Sequence, residues 1–336
     1  PHIRTRERSF PEMFRRRRAE GAVRKWLAAC LAVLALSAAA GCQGGMPDAA
    51  LSGAGEPAEP ESPAYVFGII YPYAHPLYEW VTRQAEETAR KHRVKLMVKA
   101  PDEAHLEQQI RMMETLIKEG VDGIAIAPVD SDALVPIINL AVDSGIPVVC
   151  FESDAPESKR MAFIGTDNLE SGRILADKLA ELVGDNGMVI LESGMIRMES
   201  LQNRLEGFLT RIHEISDIRV LDVRYHEGDD QAALTDLEIM TENHPHFDAL
   251  IALDPVSASR SILFWNLLAY GLTPEVWEAV NNGQITYVVS QGEPLWGKAI
   301  VTSLLRLRKG ERVETLQDTG TRLYDQDAGI DWMFSE

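Results

Sequence analysis

The residues best suited to chemistry crowd into one short stretch. Tyr71-Pro72-Tyr73-Ala74-His75-Pro76-Leu77-Tyr78 sets three tyrosines and a histidine within eight positions. Such rings either pack a loop or stack on the apolar C–H face of a polyhydroxylated solute, whose hydroxyls need polar partners at the edge. The rest of the sequence offers little for catalysis. It has no Gly-x-Ser-x-Gly, no glycine-rich phosphate loop and no cysteine with a histidine partner. His226, His244 and His246 lack the spacing of a ligand set and are expected at the surface, so neither a metal nor a cofactor is expected. Cys150 ends the apolar run Ile146-Pro147-Val148-Val149-Cys150 and reads as a small core residue, while Cys30 and Cys42 lie near the N-terminus. This inventory points to binding rather than turnover.

The elements that would position these residues alternate. Short apolar runs predict strands at 66–70, 94–98, 123–127, 147–151, 161–164, 187–191, 218–222 and 248–252. Helical spacing predicts helices at 76–92, 103–119, 131–144, 169–183, 199–214, 230–242 and 257–269, with Gly120 stopping the second. Repeated β-α units make an α/β fold of parallel sheets flanked by helices. In such sheets the ligand lies at the carboxyl ends of the strands, so the loops that follow the strands are where function is sought.

The N-terminus reads as an address. Met13-Phe14-Arg15-Arg16-Arg17-Arg18 and Arg24-Lys25 precede an uncharged run from Trp26 to Ala40, the pattern of a secretory signal. At about 15 residues the run is shorter than the ~20 a membrane-spanning helix needs. It ends Ala39-Ala40-Gly41-Cys42, which resembles the lipobox of bacterial lipoproteins and implies a lipidated Cys42. Met13 is the expected start, with residues 1–12 as upstream sequence. Residues 43–63, rich in glycine and proline, read as a flexible tether. The first 42 residues hold nine of the 33 basic side chains and three of the 51 acidic ones, so the remaining body carries a net charge of −24. An acidic body repels phosphate backbones and excludes nucleic acid as a partner. With 46% hydrophobic residues the chain can bury a full core.

From Phe67 to about Arg308 a series of segments follows in order. Leu116-Ile117-Lys118-Glu119-Gly120-Val121-Asp122-Gly123-Ile124 precedes Ala127-Pro128-Val129-Asp130-Ser131-Asp132-Ala133, and then comes Gly145-Ile146-Pro147-Val148-Val149. Ile164-Gly165-Thr166-Asp167-Asn168, Gly172-Arg173, Asn203-Arg204-Leu205-Glu206-Gly207-Phe208, Asp254-Pro255 and Thr286-Tyr287-Val288-Val289-Ser290-Gln291 complete it. In this order the series resembles the ribose/galactose-type (type I, cluster B) periplasmic binding proteins. The resemblance implies two Rossmann-like lobes with three crossings, at 64–166 plus 292–318 and at 167–291 plus 319–336. It implies His75 as a polar contact to a sugar, Tyr78 as an aromatic wall aided by Tyr71 or Tyr73, and Glu152 as the acid that holds sugar hydroxyls. Ser153 stands where the family has an arginine, with Asp154 after it. Two carboxylates without that arginine suit a different sugar or a cationic solute. Arg204 would grip vicinal oxygens with its fork of donors. Asp254 and Gln291 match further contacts, the latter near the hinge.

The function so implied is that of a monomeric extracytoplasmic binding lipoprotein, held by its lipid on the outer face of the membrane. It would deliver a sugar or sugar-like solute to an ABC permease with a cytoplasmic ATPase. The alternative is a sensing role that feeds a receptor kinase or chemoreceptor. A repressor of this fold would need a helix-turn-helix where residues 1–60 carry a secretion signal. One departure from the family stands out. After Tyr270-Gly271-Leu272 about 15 residues, including an internal strand and its ligand-binding aspartate, are missing from the pattern. A lobe lacking that strand is expected, as a defect of the sequence rather than an adaptation.

Overall fold

In the computed structural model the described residues are 62–328, except 263 and 265. Met13, Cys30, the signal segment, Cys42, nearly all of the tether and residues 329–336 lie outside them.

Strands of four to six residues rich in Val, Ile, Leu and Phe, with one three-residue edge strand, form the first sheet. Its strands are β1 (Tyr65–Ile70), β2 (Val94–Lys99), β3 (Gly123–Ile126), β4 (Val148–Phe151), β5 (Ala162–Gly165) and, from far along the chain, β11 (Leu316–Asp318). They are all parallel, in the order β11-β5-β4-β3-β1-β2. Both faces are covered, as continuous apolar strands require. Phe67 and Ile69 pack with α1 (Leu77–Lys91) and α9 (Glu293–Arg308), whose Trp296 is fully buried. Ile70, Ile124 and Ile126 pack with α2 (Leu106–Glu119) and α3 (Val135–Asp143), and Cys150 lies buried among them. Gly120 closes α2 in the left-handed conformation (φ 66°), as its sequence position predicts.

The second sheet runs β12-β10-β9-β8-β6-β7. It contains β6 (Met188–Ser193), β7 (Arg219–Tyr225), β8 (Ala249–Ala252), β9 (Leu267–Tyr270), β10 (Tyr287–Ser290) and an antiparallel edge strand, β12 (Arg322–Tyr324). Its helices are α4 (Asn168–Val183), α5 (Glu199–Ile215), α6 (Asp230–Asn243), α7 (Pro255–Ser261) and α8 (Pro274–Asn281). Helices α4 and α5 meet backbone to backbone. A Cβ on Gly172 would lie 2.1 Å from the Arg204 carbonyl oxygen, and one on Gly207 would lie 2.0 Å from that of Leu169. Only glycine permits this approach, and the approach brings Arg204 to the start of α4.

The missing-strand expectation is overturned here. The segment expected as one helix, 257–269, is the seven-residue α7 followed by β9, which pairs with β8 on one side and β10 on the other. The shortening falls on the helix. A central strand has two ladders of backbone partners to lose, each buried orphan costing roughly 1–3 kcal/mol, whereas a surface helix can give up turns at little cost. Gly271 (φ 85°) follows the strand against Pro255, so no side chain stands where the family's aspartate was expected.

The chain passes between the sheets three times, after β5, after β10 and after β11. These crossings are bonded to one another. Thr166 and Thr321 share a hydroxyl hydrogen bond of 2.6 Å, Thr319 Oγ1 donates to the Gln291 carbonyl at 2.5 Å, and Thr319 N–H donates to the Gly165 carbonyl at 2.9 Å. Among the described residues no helix is long and apolar enough to cross a membrane.

Candidate functional site

The carboxyl ends of the two sheets face each other, and the loops that leave them meet. Glu199 N–H donates to Ser131 Oγ and Ser200 N–H to Ser153 Oγ, both at 3.2 Å, so the start of α5 is tied to loops of the first lobe. Met195, Met198, Leu201 and Val256 of the second lobe share one apolar cluster with Tyr71, Tyr73, Tyr78 and Phe151 of the first. The lobes are therefore closed on one another.

The first lobe contributes rings. Tyr71 leaves β1 and stacks on Tyr78 at 4.6 Å, while Tyr73 and His75 stand edge-on to Tyr78 at 5.9 and 6.4 Å. All three tyrosines are buried. Their hydroxyls are directed by neighbours: Tyr71 bonds Thr82 at 2.8 Å and Tyr78 donates to Glu152 Oε2 at 2.7 Å. Glu152 follows β4 in the left-handed region (φ 63°), an uncommon position for a residue with a side chain, and one that functional sites tolerate. Burial raises its carboxyl to about 7, against the opposing pull of Tyr78 and Arg204. Asp154 is placed differently from a free contact. Arg160 holds it bidentately, Nε to Oδ1 at 2.6 Å and the terminal nitrogen to Oδ2 at 2.5 Å. Of the two expected carboxylates, Glu152 alone keeps capacity to spare. His75 accepts from Leu77 N–H at 3.3 Å, and burial lowers its pKa.

The second lobe contributes a bonded network. Arg204, 1% exposed, donates to Asn168 Oδ1 at 2.9 Å, to the Leu253 carbonyl at 2.8 Å and to Gln291 Oε1, and its guanidinium lies 4.8 Å from the centre of the Tyr270 ring. Asp254 caps α7, accepting from Val256 N–H at 2.9 Å and Ser257 Oγ at 2.5 Å. His226 Nε2 stands 3.2 Å from both Asp254 oxygens, and Gly228 N–H donates to Nδ1 at 3.1 Å. Burial works against charge on Asp254, but His226 and the Ser257 donors prevail and hold it down at about 2. His226, expected at the surface, is 2% exposed. It was misplaced because the predicted strand 218–222 stops three residues before β7 does, which hid a histidine directly after a strand end.

Glu192 was missed for the same reason, since the predicted strand 187–191 ends one residue before it. It lies on β6, fully buried, with no hydrogen-bond partner for either carboxylate oxygen. Burial, reinforced by Asp254, raises it to about 8. Glu293, at the start of α9, accepts from Ser290 Oγ and from Gln291 N–H, while its Oε1 is unpartnered and buried. A cavity of about 440 Å³ opens between the lobes, lined among others by Tyr73, His75, Asp102, Asp230, Val256 and Glu275. A groove of about 600 Å³ beside α1 shares Tyr71, Tyr73, His75 and Tyr78. Among the described residues no cluster of three His, Cys, Asp or Glu could hold a metal.

Residues 67–312 match the periplasmic binding protein domain. The D-ribose/D-allose-binding protein of Pseudomonas aeruginosa is 29% identical over 172 residues, which cover 48% of this chain and 54% of that one. The ribose import binding protein of Bacillus subtilis is 23% identical over 252 residues, 71% of this chain and 80% of that one. The chain thus spans about half the length of the first relative and four fifths of the second. An ABC transporter solute binding protein from Burkholderia graminis in complex with D-arabinose superposes with a TM-score of 0.77 at 22% identity, over 82% of this chain and 99% of that one. One from Agrobacterium vitis with bound D-fucose gives 0.75 at 23%, over 80% and 97%.

Proposed function

The chain belongs to the periplasmic binding protein family, and we propose that it is the extracytoplasmic substrate-binding lipoprotein of an ABC importer. It closes two lobes over a sugar or sugar-like solute and does not transform it. One observation carries the reading: three buried tyrosines on one lobe confront the Arg204–Gln291 and Asp254 network on the other, at facing strand ends. A stacked ring meets the apolar face of a monosaccharide while carboxylates and a guanidinium serve its hydroxyls, the division of labour such solutes require. A relative named for ribose and allose, and solute binding proteins of this fold holding D-arabinose and D-fucose, support a monosaccharide-sized ligand.

The mechanism is closure about the three bonded crossings. Gln291 belongs to both parts, because its carbonyl accepts from the hinge residue Thr319 and its side chain accepts from Arg204. Ligand bridging the lobes selects the closed state by its extra contacts there, and the closed face is what the permease receives. Lipid on Cys42 and the tether after it keep the monomer beside that permease. A thermal-shift scan of the purified protein against pentoses, hexoses and inositols tests the reading. The right solute at 100 times its Kd raises stability by about 2.7 kcal/mol. A cooperative melt that no member of the panel moves would refute it.

A further inference from the structure

Resting on the binding function just described, we propose that the solute carries a positively charged amine, as an amino sugar or aminocyclitol does. Acidic groups outnumber basic ones at the junction of the lobes. Glu152, Glu192, Asp254 and Glu293 are each no more than 5% exposed, and they interact electrostatically in chains: Glu152 with Asp254 and Glu293, and Glu192 with Asp254. Facing them are Arg204 and His226. Four carboxyl groups thus meet two positive groups, and burial holds protons on part of the excess, raising Glu152 to about 7, Glu192 to about 8 and Glu293 above its ordinary range. Arg204 is also committed, with donors to Asn168, Leu253 and Gln291 and its face on Tyr270.

What is left over is acceptor capacity. Both oxygens of Glu192 and Oε1 of Glu293 are buried with no donor in hydrogen-bond geometry, the nearby Ser257 hydroxyl being given to Asp254 at 2.5 Å, which native interiors rarely leave unanswered. A neutral sugar brings hydroxyls that both give and take. An ammonium brings only donors, and its charge favours the ionised carboxylates over the protons they otherwise hold. The surroundings suit it further. Tyr73 lies near both Glu152 and Asp254, and tyrosine faces attract cations. The cavity between the lobes is lined by Asp102, Glu103, Asp229, Asp230 and Glu275 against a single Arg260, which is paired with Asp230. A cleft so lined draws cations inward.

The test is calorimetric titration of the full chain with matched triplets: glucosamine, glucose and N-acetylglucosamine, then the galactose, ribose and inositol counterparts. At least one amine is expected to bind roughly 10- to 100-fold tighter than its hydroxyl parent and its N-acetyl derivative, the worth of a charge-assisted contact. Glu152→Gln, which keeps the shape, is expected to erase most of that preference while retaining a cooperative melt. Parent sugars that bind as tightly as their amines would overturn the proposal and leave the carbohydrate-binding function standing. If no triplet binds in any form, that function fails and the amine assignment falls with it. If Glu152→Gln does not fold, the triplet preference in the unaltered protein decides alone.

Discussion

The two lobes prepare the same cleft by different means. The first presents faces: Tyr71, Tyr73 and Tyr78 are held by stacking on one another, and Glu152 has one bond, from Tyr78. The second presents edges: Arg204, Asp254, His226 and Gln291 are held by hydrogen bonds among themselves and to backbone. A packed ring can be trimmed with a local loss. A bonded network fails as a unit, because each member satisfies another that is buried.

The difference can be broken first at Arg204. Arg204→Ala strands Asn168, Gln291 and the nearby carboxylates, and is expected to cost about 3–5 kcal/mol of stability as well as ligand binding, measured by denaturant unfolding. The three bonds of a side chain 1% exposed argue for both losses. Acidity sharpens the comparison next. A carboxyl that keeps its proton on folding binds one more proton folded than unfolded, so stability falls as pH rises between the two pKa values. That window runs from 4.5 to about 7 for Glu152 and from 4.5 to about 8 for Glu192. Asp254, lowered to about 2, acts in the opposite sense only below its ordinary 3.8. His226, raised to about 9, loses its contribution in the same direction above 6.5, and because these groups share the field of Asp254 their losses overlap rather than add. The ligand-free protein is expected to be more stable at pH 5 than at pH 8, by on the order of 3 kcal/mol. Thermal melts across that range check it, and Glu192→Gln should flatten the upper part of the slope in the second lobe. Gly207→Ala comes third. Its Cβ meets the Leu169 carbonyl, so α4 and α5 must part, at about 1–3 kcal/mol, and ligand affinity should fall as Arg204 moves with α5. Smallest is Tyr78→Phe in the first lobe, about 1 kcal/mol by urea titration, with stacking kept and one hydrogen bond to Glu152 lost.

Much of this was legible in the sequence, and the reasons are specific. Strands of four to six apolar residues between amphipathic helices announce themselves, and eight of the twelve strands among the described residues were anticipated, with ends off by a few residues. β9 was absorbed into a helix because Ser261-Ile262-Leu263-Phe264 continues apolar into Leu267-Leu268-Ala269, and periodicity cannot separate a buried strand from a buried helix in such a run. β11 and β12, three residues each, carry no pattern of their own; distant partners make them strands. At the site, residues that follow a well-marked strand were found. Glu192 and His226 were not, because Glu192 lies in, and His226 directly after, the polar end of a strand, Glu192-Ser193 or Asp222-Val223-Arg224-Tyr225, which does not read as apolar. Sites at strand ends are polar by necessity, so hydropathy truncates strands where function begins.

The position of β11 and α9 bears on how the molecule is made. β11 pairs Leu316 with Phe163, and α9 delivers Trp296 to a core founded by Phe67 and Phe151. The first lobe thus begins at the start of the described chain and waits, with most of the second lobe threaded through it, for its last helix and strand. The second lobe draws on nearly continuous sequence and can form from local segments as the chain emerges. Until residues 293–318 return, α1 and β4 expose the apolar face that Trp296 will cover, the sort of surface that invites chaperones or aggregation. Maturation is therefore expected to wait on the lobe that is started first yet lacks a central helix and an edge strand until residues 293–318, after which only the second sheet's edge strand β12 remains to be added.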